Sequence, residues 1–117
     1  MIGSTRQVSV WACTRPVDMR KSFNGLFALA RDAIGRDVLE GDLFLFVGRS
    51  RHTAKVLFWD GTGLCVFAKR LETGRFAAPW GMGQDGRWQL TVSEMQLFLE
   101  GCAWVGKIPL SPPAFTI

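Results

Sequence analysis

The chain has 117 residues, 48% hydrophobic and 21% charged, which suits one globular domain over residues 1–117 and leaves too little length for two ordinary ones. Fourteen Lys and Arg face ten Asp and Glu for a net charge of +4, and no apolar run approaches the roughly 20 residues of a membrane helix. The opening MIGSTRQVSVWACTRP has neither the profile nor the small-residue cleavage site of a secretory leader, so a cytoplasmic location is expected.

In chain order, QVSVWACT is a short strand candidate, rich in β-branched and aromatic residues and interrupted by Pro16. DMRKSFNGLFALARDAIG then places Met19, Phe23, Leu26, Phe27, Ala30 and Ile34 on one helical face, with Asp18 as N-cap and Gly35 as stop. Gly25 inside that helix is costly and marks a close approach by another group. Arg20 and Lys21 fall in the first turn, where cations oppose the helix dipole, so they are candidates for phosphate contact as well as for a solvated face.

DLFLFVG (residues 42–48) has strand length and is apolar throughout, as a strand buried on both faces is. AKVLFWDGTGLCVFAKRL follows as a hairpin around Asp60-Gly61-Thr62-Gly63. A four-residue loop there sets Phe58 against Cys65 and Val56 against Phe67. GRFAAPW and GRWQLT read as two further short strands separated by the turn GMGQDG, whose glycine spacing is not that of a phosphate-binding loop. Thr91 and Glu94 form a capping box for a short helix ending at Gly101, and the prolines of KIPLSPPAF make residues 106–117 an extended tail. The predicted architecture is α+β: an antiparallel sheet of about five strands, a longer helix after the first strand and a short C-terminal helix.

The charge is localised. Between Val47 and Phe76, Arg49, Arg51, Lys55, Lys69, Arg70 and Arg75 stand against Asp60 and Glu72, a net +4, and the rest of the chain balances to zero. A meander of three strands brings the 48–53 loop and the stretch after Ala68 to one end of the sheet, so these cations gather on a basic edge suited to a polyanion. His52, the one histidine, sits among them as a candidate phosphate or base contact; no carboxylate lies nearby in sequence to orient it as a general base. Trp59, Trp80 and Trp88 are the candidates for base stacking or partner contact.

No catalytic residues are assigned. Asp60 and Glu72 would be the pair for a two-metal nuclease, but the hairpin separates them and turn chemistry accounts for Asp60. Cys13, Cys65 and Cys102 are odd in number and widely spaced, so they read as reduced core residues. With one histidine and no short-spaced ligand pair, neither a metal nor a cofactor is expected.

Four segments together, DMRKSFNGL, LFLFVGR, KVLFWDGTGLCVFAKRLETGRF and LEGCAW, resemble the TnpB-type accessory protein of the insertion-sequence-sixty-six family of bacterial transposable elements, encoded by its second open reading frame. The resemblance covers roughly residues 8–105. The family motif falls on Asp18, Met19, Arg20, Lys21, Phe23, Gly25 and Leu26, and on Lys55, Trp59, Asp60, Gly61, Gly63, Leu64, Lys69, Arg70, Leu71, Gly74, Arg75 and Phe76. Ser22 stands where many relatives carry Gly, and Ala68 where an aromatic residue is common.

The resemblance implies a bacterial accessory factor for transposition, encoded beside a separate DDE-type transposase, and with no catalytic residues assigned the expected role is non-enzymatic. Combined with the charge pattern it predicts DNA binding at the basic edge, with help from Arg20 and Lys21. The alternative is a protein-interaction module that docks the transposase or self-associates, without specific DNA binding.

Overall fold

In the computed structural model, residues 7–101 are described, together with the backbone of 104–105 and 108–109. Five strands form one sheet in the order β4-β3-β2-β1-β5: β1 (Val10–Cys13), β2 (Leu43–Val47), β3 (Thr53–Trp59), β4 (Leu64–Arg70) and β5 (Arg87–Leu90). Alternation along these strands gives the sheet two apolar faces. Val10, Ala12, Leu45, Val47, Ala54, Val56 and Leu90 pack on one side beneath α2 (Val92–Leu99), with Met95 and Phe98. Trp11, Cys13, Phe44, Phe46 and Leu57 pack on the other with Leu26, Ala30 and Ile34. A strand buried on both faces must be apolar throughout, and within β2 only Leu43 is not fully buried.

The α+β architecture is as the sequence predicts, with one difference. β1 and β2 pair in parallel, Val10 beside Leu43 and Ala12 beside Leu45, while the other three pairings are antiparallel. A parallel pair needs a long crossover, and residues 14–42, carrying the helix, supply it.

That helix is shorter than its apolar spacing implies. α1 spans Phe23–Leu29 and continues as a π-helical turn, Ala30–Ile34, in which the Ala30 carbonyl accepts from both Gly35 N (2.8 Å) and Arg36 N (3.1 Å). Gly35 closes it in the left-handed conformation, as expected of a helix stop. The N-terminal boundary differs: Ser22, not Asp18, precedes the first helical residue. Val17 N donates to Val47 O, and Met19 lies against Gly48, where a Cβ would come within 2.6 Å of its Cγ. Residues 17–19 are thereby pinned across the end of β2 and cannot begin the helix. Phe23, placed on the apolar face by its spacing, is 47% exposed.

The β3–β4 register is the one read from the sequence: Phe58 pairs with Cys65 and Val56 with Phe67. Asp60 holds the four-residue turn, its Oδ1 accepting from Thr62 N, Thr62 Oγ1 and Gly63 N at 2.9–3.0 Å. These bonds favour the ionised carboxylate and lower its pKa from 3.8 to about 2. GRWQLT contributes β5, but GRFAAPW forms no strand. Phe76 is instead buried against Phe98, ring centroids 5.8 Å apart. Thr91 and Glu94 make the predicted capping box. The stretch 106–117 expected to be a tail lies outside the described residues, except that β7 (Ile108–Pro109) pairs with β6 (Trp104–Val105).

Candidate functional site

Strand direction alone collects the basic residues at one end of the sheet. β1 and β2 finish there, β3 begins there at Thr53, and β4 ends there with Arg70 opposite Thr53. The loop after β2 and the segment after β4 are then zipped together. Leu71 N donates to His52 O (2.9 Å) and Phe76 N to Arg51 O (2.8 Å), while Arg51 Nη1 donates back to Phe76 O (3.3 Å). Arg51 sits at φ 63°, a left-handed conformation costly for a residue with a Cβ, and this reciprocal clamp to the buried Phe76 holds it there. Arg49, His52, Arg70 and Arg75 are all exposed around the zipped loops.

The predicted site residues do not all share one surface. Lys55 and Arg70 point to the α1 side of the sheet, as their registry with Phe46 and Thr53 requires. Lys55 Nζ donates to the Lys21 carbonyl at 2.8 Å, which brings the residues before α1 against the hairpin. The Lys21 stem passes over Gly25, where a Cβ would meet its Cβ and Cγ at 3.1 Å; this is the close approach that Gly25 permits. Lys69 belongs to the opposite face, and its Nζ donates to Leu99 O at 2.7 Å, capping the C-terminal end of α2 where a cation is favourable. Arg20 is held by Asp18, whose Oδ2 is 2.8 Å from Nη2. That guanidinium keeps the Asp18 carboxyl well below the usual carboxylate range. Both side chains are open to solvent, so the pair contributes little to stability.

Among the described residues, the side chains of Lys21, Arg49, Arg70 and Arg75 have no hydrogen-bond or ion-pair partner within the protein. Arg51, Lys55 and Lys69 spend at least one donor on a backbone carbonyl each. Sequence spacing brought the segments together correctly but could not show which cations are spent on the fold.

The tryptophans predicted for stacking or partner contact lie partly within the two cores. Trp59, Trp80 and Trp88 are all partly buried: Trp59 packs on the α1-side core, Trp80 and Trp88 on the α2-side core. Trp11 is buried, donating from Nε1 to Asp42 Oδ2 at 3.1 Å, with the Arg36 guanidinium 4.2 Å from its ring centroid. Among the described residues, the exposed aromatic side chains are Phe23 and Phe67, each 47% accessible. Alternation along β4 is the signal that singles out Phe67, because its face continues past the cover of α2.

Asp60 and Glu72 lie at opposite ends of the hairpin. Among the described residues, no group of three or more His, Cys, Asp or Glu is arranged to hold a metal ion. Cys13 is buried and Cys65 half-buried, both as free thiols, and desolvation pushes the pKa of each up. Cys102 lies outside the described residues. No helix among the described residues is long and apolar enough to cross a membrane.

The profile of the family described as "IS66 Orf2 like protein" matches residues 8–107. The uncharacterized protein y4jC of Sinorhizobium fredii is 34% identical over 115 residues, covering 97% of each chain. The uncharacterized protein y4hO of the same organism is 36% identical over 104 residues, 89% of each chain. No solved structure gives a significant match. With residues 8–107 inside the profile and a relative aligned over 97% of each chain, the chain belongs to the IS66 Orf2-like family, whose members are accessory to insertion-sequence transposition.

Proposed function

We propose that this protein acts without catalysing a reaction, binding duplex DNA of its element through phosphates at the basic end of the sheet, beside a DDE-type transposase. The observation that carries the reading is the zipped pair of loops, which fixes Arg49, His52, Arg70 and Arg75 on one rim. Lys21 extends this rim on the α1 side, with Lys55 behind it. Arg20 stays balanced by Asp18 and has a lesser part. Lys69 and Arg51 act chiefly through the fold, holding α2 and the Arg75 segment.

The rim presents its charge from loops and the end of β4 and, among the described residues, offers no helix to enter a groove, so it suits phosphate contact rather than base reading. Four to six such contacts give a slope of log affinity against log salt of roughly −3.5 to −5.5. Fluorescence anisotropy with labelled element-end duplex and with scrambled duplex tests this. Comparable, salt-sensitive binding to both duplexes that falls at least tenfold in Arg49→Ala/Arg70→Ala/Arg75→Ala supports the reading, and an unchanged affinity in that variant overturns it.

A further inference from the structure

A second surface lies away from the basic rim. Among the described residues β4 has one strand neighbour, β3, so one side of its seven-residue ladder is open. Natural edge strands are shortened, bulged, or guarded by proline and inward charges. β4 has none of these protections over Leu64–Ala68, where the sequence is Leu-Cys-Val-Phe-Ala, and Phe67 and Ala68 are exposed. The other edge, β5, has only four residues. Beside β4, a groove of about 490 Å³ runs between the sheet and α2, lined by Val56, Phe58, Phe67, Met95 and Leu99 with Asp60 at its rim.

We propose that a second copy of this chain covers this edge, β4 pairing antiparallel with β4 about a two-fold axis through Phe67, to make one ten-stranded sheet. Charge selects both the occupant and the direction. Between Val56 and Ala68 the only charged residue is Asp60, whereas the other end of the strand carries Lys69, Arg70 and Arg75 against Glu72. Antiparallel pairing centred on Phe67 sets Arg70 of each copy opposite Leu64 of the other and runs the 71–75 segment along the other copy's Asp60–Gly63 turn. The Asp60 carboxylate, whose three turn bonds are all made by Oδ1, then meets the partner's basic end twice by symmetry. Parallel pairing would stack Lys69 on Lys69 and Arg70 on Arg70. The two Phe67 rings come side by side at the mouths of the grooves, an aromatic cross-strand pair of the kind that stabilises sheets. The two basic ends point in opposite directions, with Arg49 and His52 on the β2–β3 loop outside the interface and Arg70 and Arg75 at its margin, and the proposal does not depend on their binding DNA.

Sedimentation velocity from micromolar to tenth-millimolar protein tests the proposal. The wild-type chain is expected to be a concentration-dependent dimer. Phe67→Glu, which opposes two carboxylates at the axis, should weaken association at least tenfold while the circular dichroism melt stays in place. Leu97→Glu, on the exposed side of α2, should leave the dimer intact. As a proximity check, Phe67→Cys should form an interchain disulfide under mild oxidation, and Thr62→Cys should not. A wild-type monomer across the range overturns the proposal and leaves the edge to another protein. So does a dimer that survives Phe67→Glu, or a Phe67→Cys chain that does not crosslink.

Discussion

Lys55 Nζ donates to the main-chain carbonyl of Lys21 at 2.8 Å, tying the middle of β3 to the chain just before α1. One cation is thus used to place another, and the placement depends on a charge-assisted bond. Lys55→Met keeps the aliphatic stem and removes the donor. It is expected to cost about 1 kcal/mol, read as a lower urea midpoint with an unchanged slope.

Thr91 and Glu94 reciprocally satisfy the first turn of α2, at 3.1 and 2.8 Å. Thr91→Ala removes half of that box. A loss of about 1 kcal/mol, or about 4 °C in Tm, is expected by calorimetry.

The hairpin was legible because its pattern is redundant: apolar alternation on both strands and four loop residues all demand one register. The capping box was legible for the same reason, as side chain and spacing agree. The start of α1 was not. Asp18 has the chemistry of an N-cap and does accept from a backbone amide two residues on, Arg20 N at 2.9 Å. Yet the bond from Val17 N to Val47 O, a contact 30 residues distant in sequence, holds the chain extended past it. The parallel pairing of β1 with β2 was equally hidden, because a single sequence shows strands and not their neighbours. At the site, the gathering of cations followed from strand direction. Which of them bond to carbonyls did not, since Lys55 and Lys69 are alike in sequence but lie on opposite faces.

Asp60 makes the hairpin sensitive to acid. Its folded-state pKa of about 2 lies below the ordinary 3.8, so the ionised form is favoured by folding. The stabilisation is complete above pH 3.8 and is lost as the pH falls through the folded value near 2. In urea titrations at pH 5 and at pH 2, Asp60→Ala should lower the midpoint at pH 5 and differ less from wild type at pH 2. A constant difference at both would contradict this role.

Glycines 74 and 83 share a left-handed backbone and differ in their surroundings. A Cβ at Gly74 (φ 75°) meets open space, whereas one at Gly83 (φ 66°) meets the Arg87 carbonyl and comes within 2.8 Å of Trp88 Cα. Gly74→Ala should therefore cost about 1 kcal/mol through backbone strain alone. Gly83→Ala should cost more than about 2 kcal/mol, because β5 must move as well. Thermal melts of the pair check the order.

The claim at the centre of this account is that the zipped loops at the end of the sheet bind DNA phosphates. Its most direct measurement is the salt dependence of duplex affinity for the wild-type protein and for Arg49→Ala/Arg70→Ala/Arg75→Ala, at matched stability. The account predicts a wild-type slope of roughly −3.5 to −5.5 that becomes shallower by about 2 to 3 in the variant, with similar values on specific and scrambled duplex. A slope near zero, or one identical in the two proteins, would contradict it.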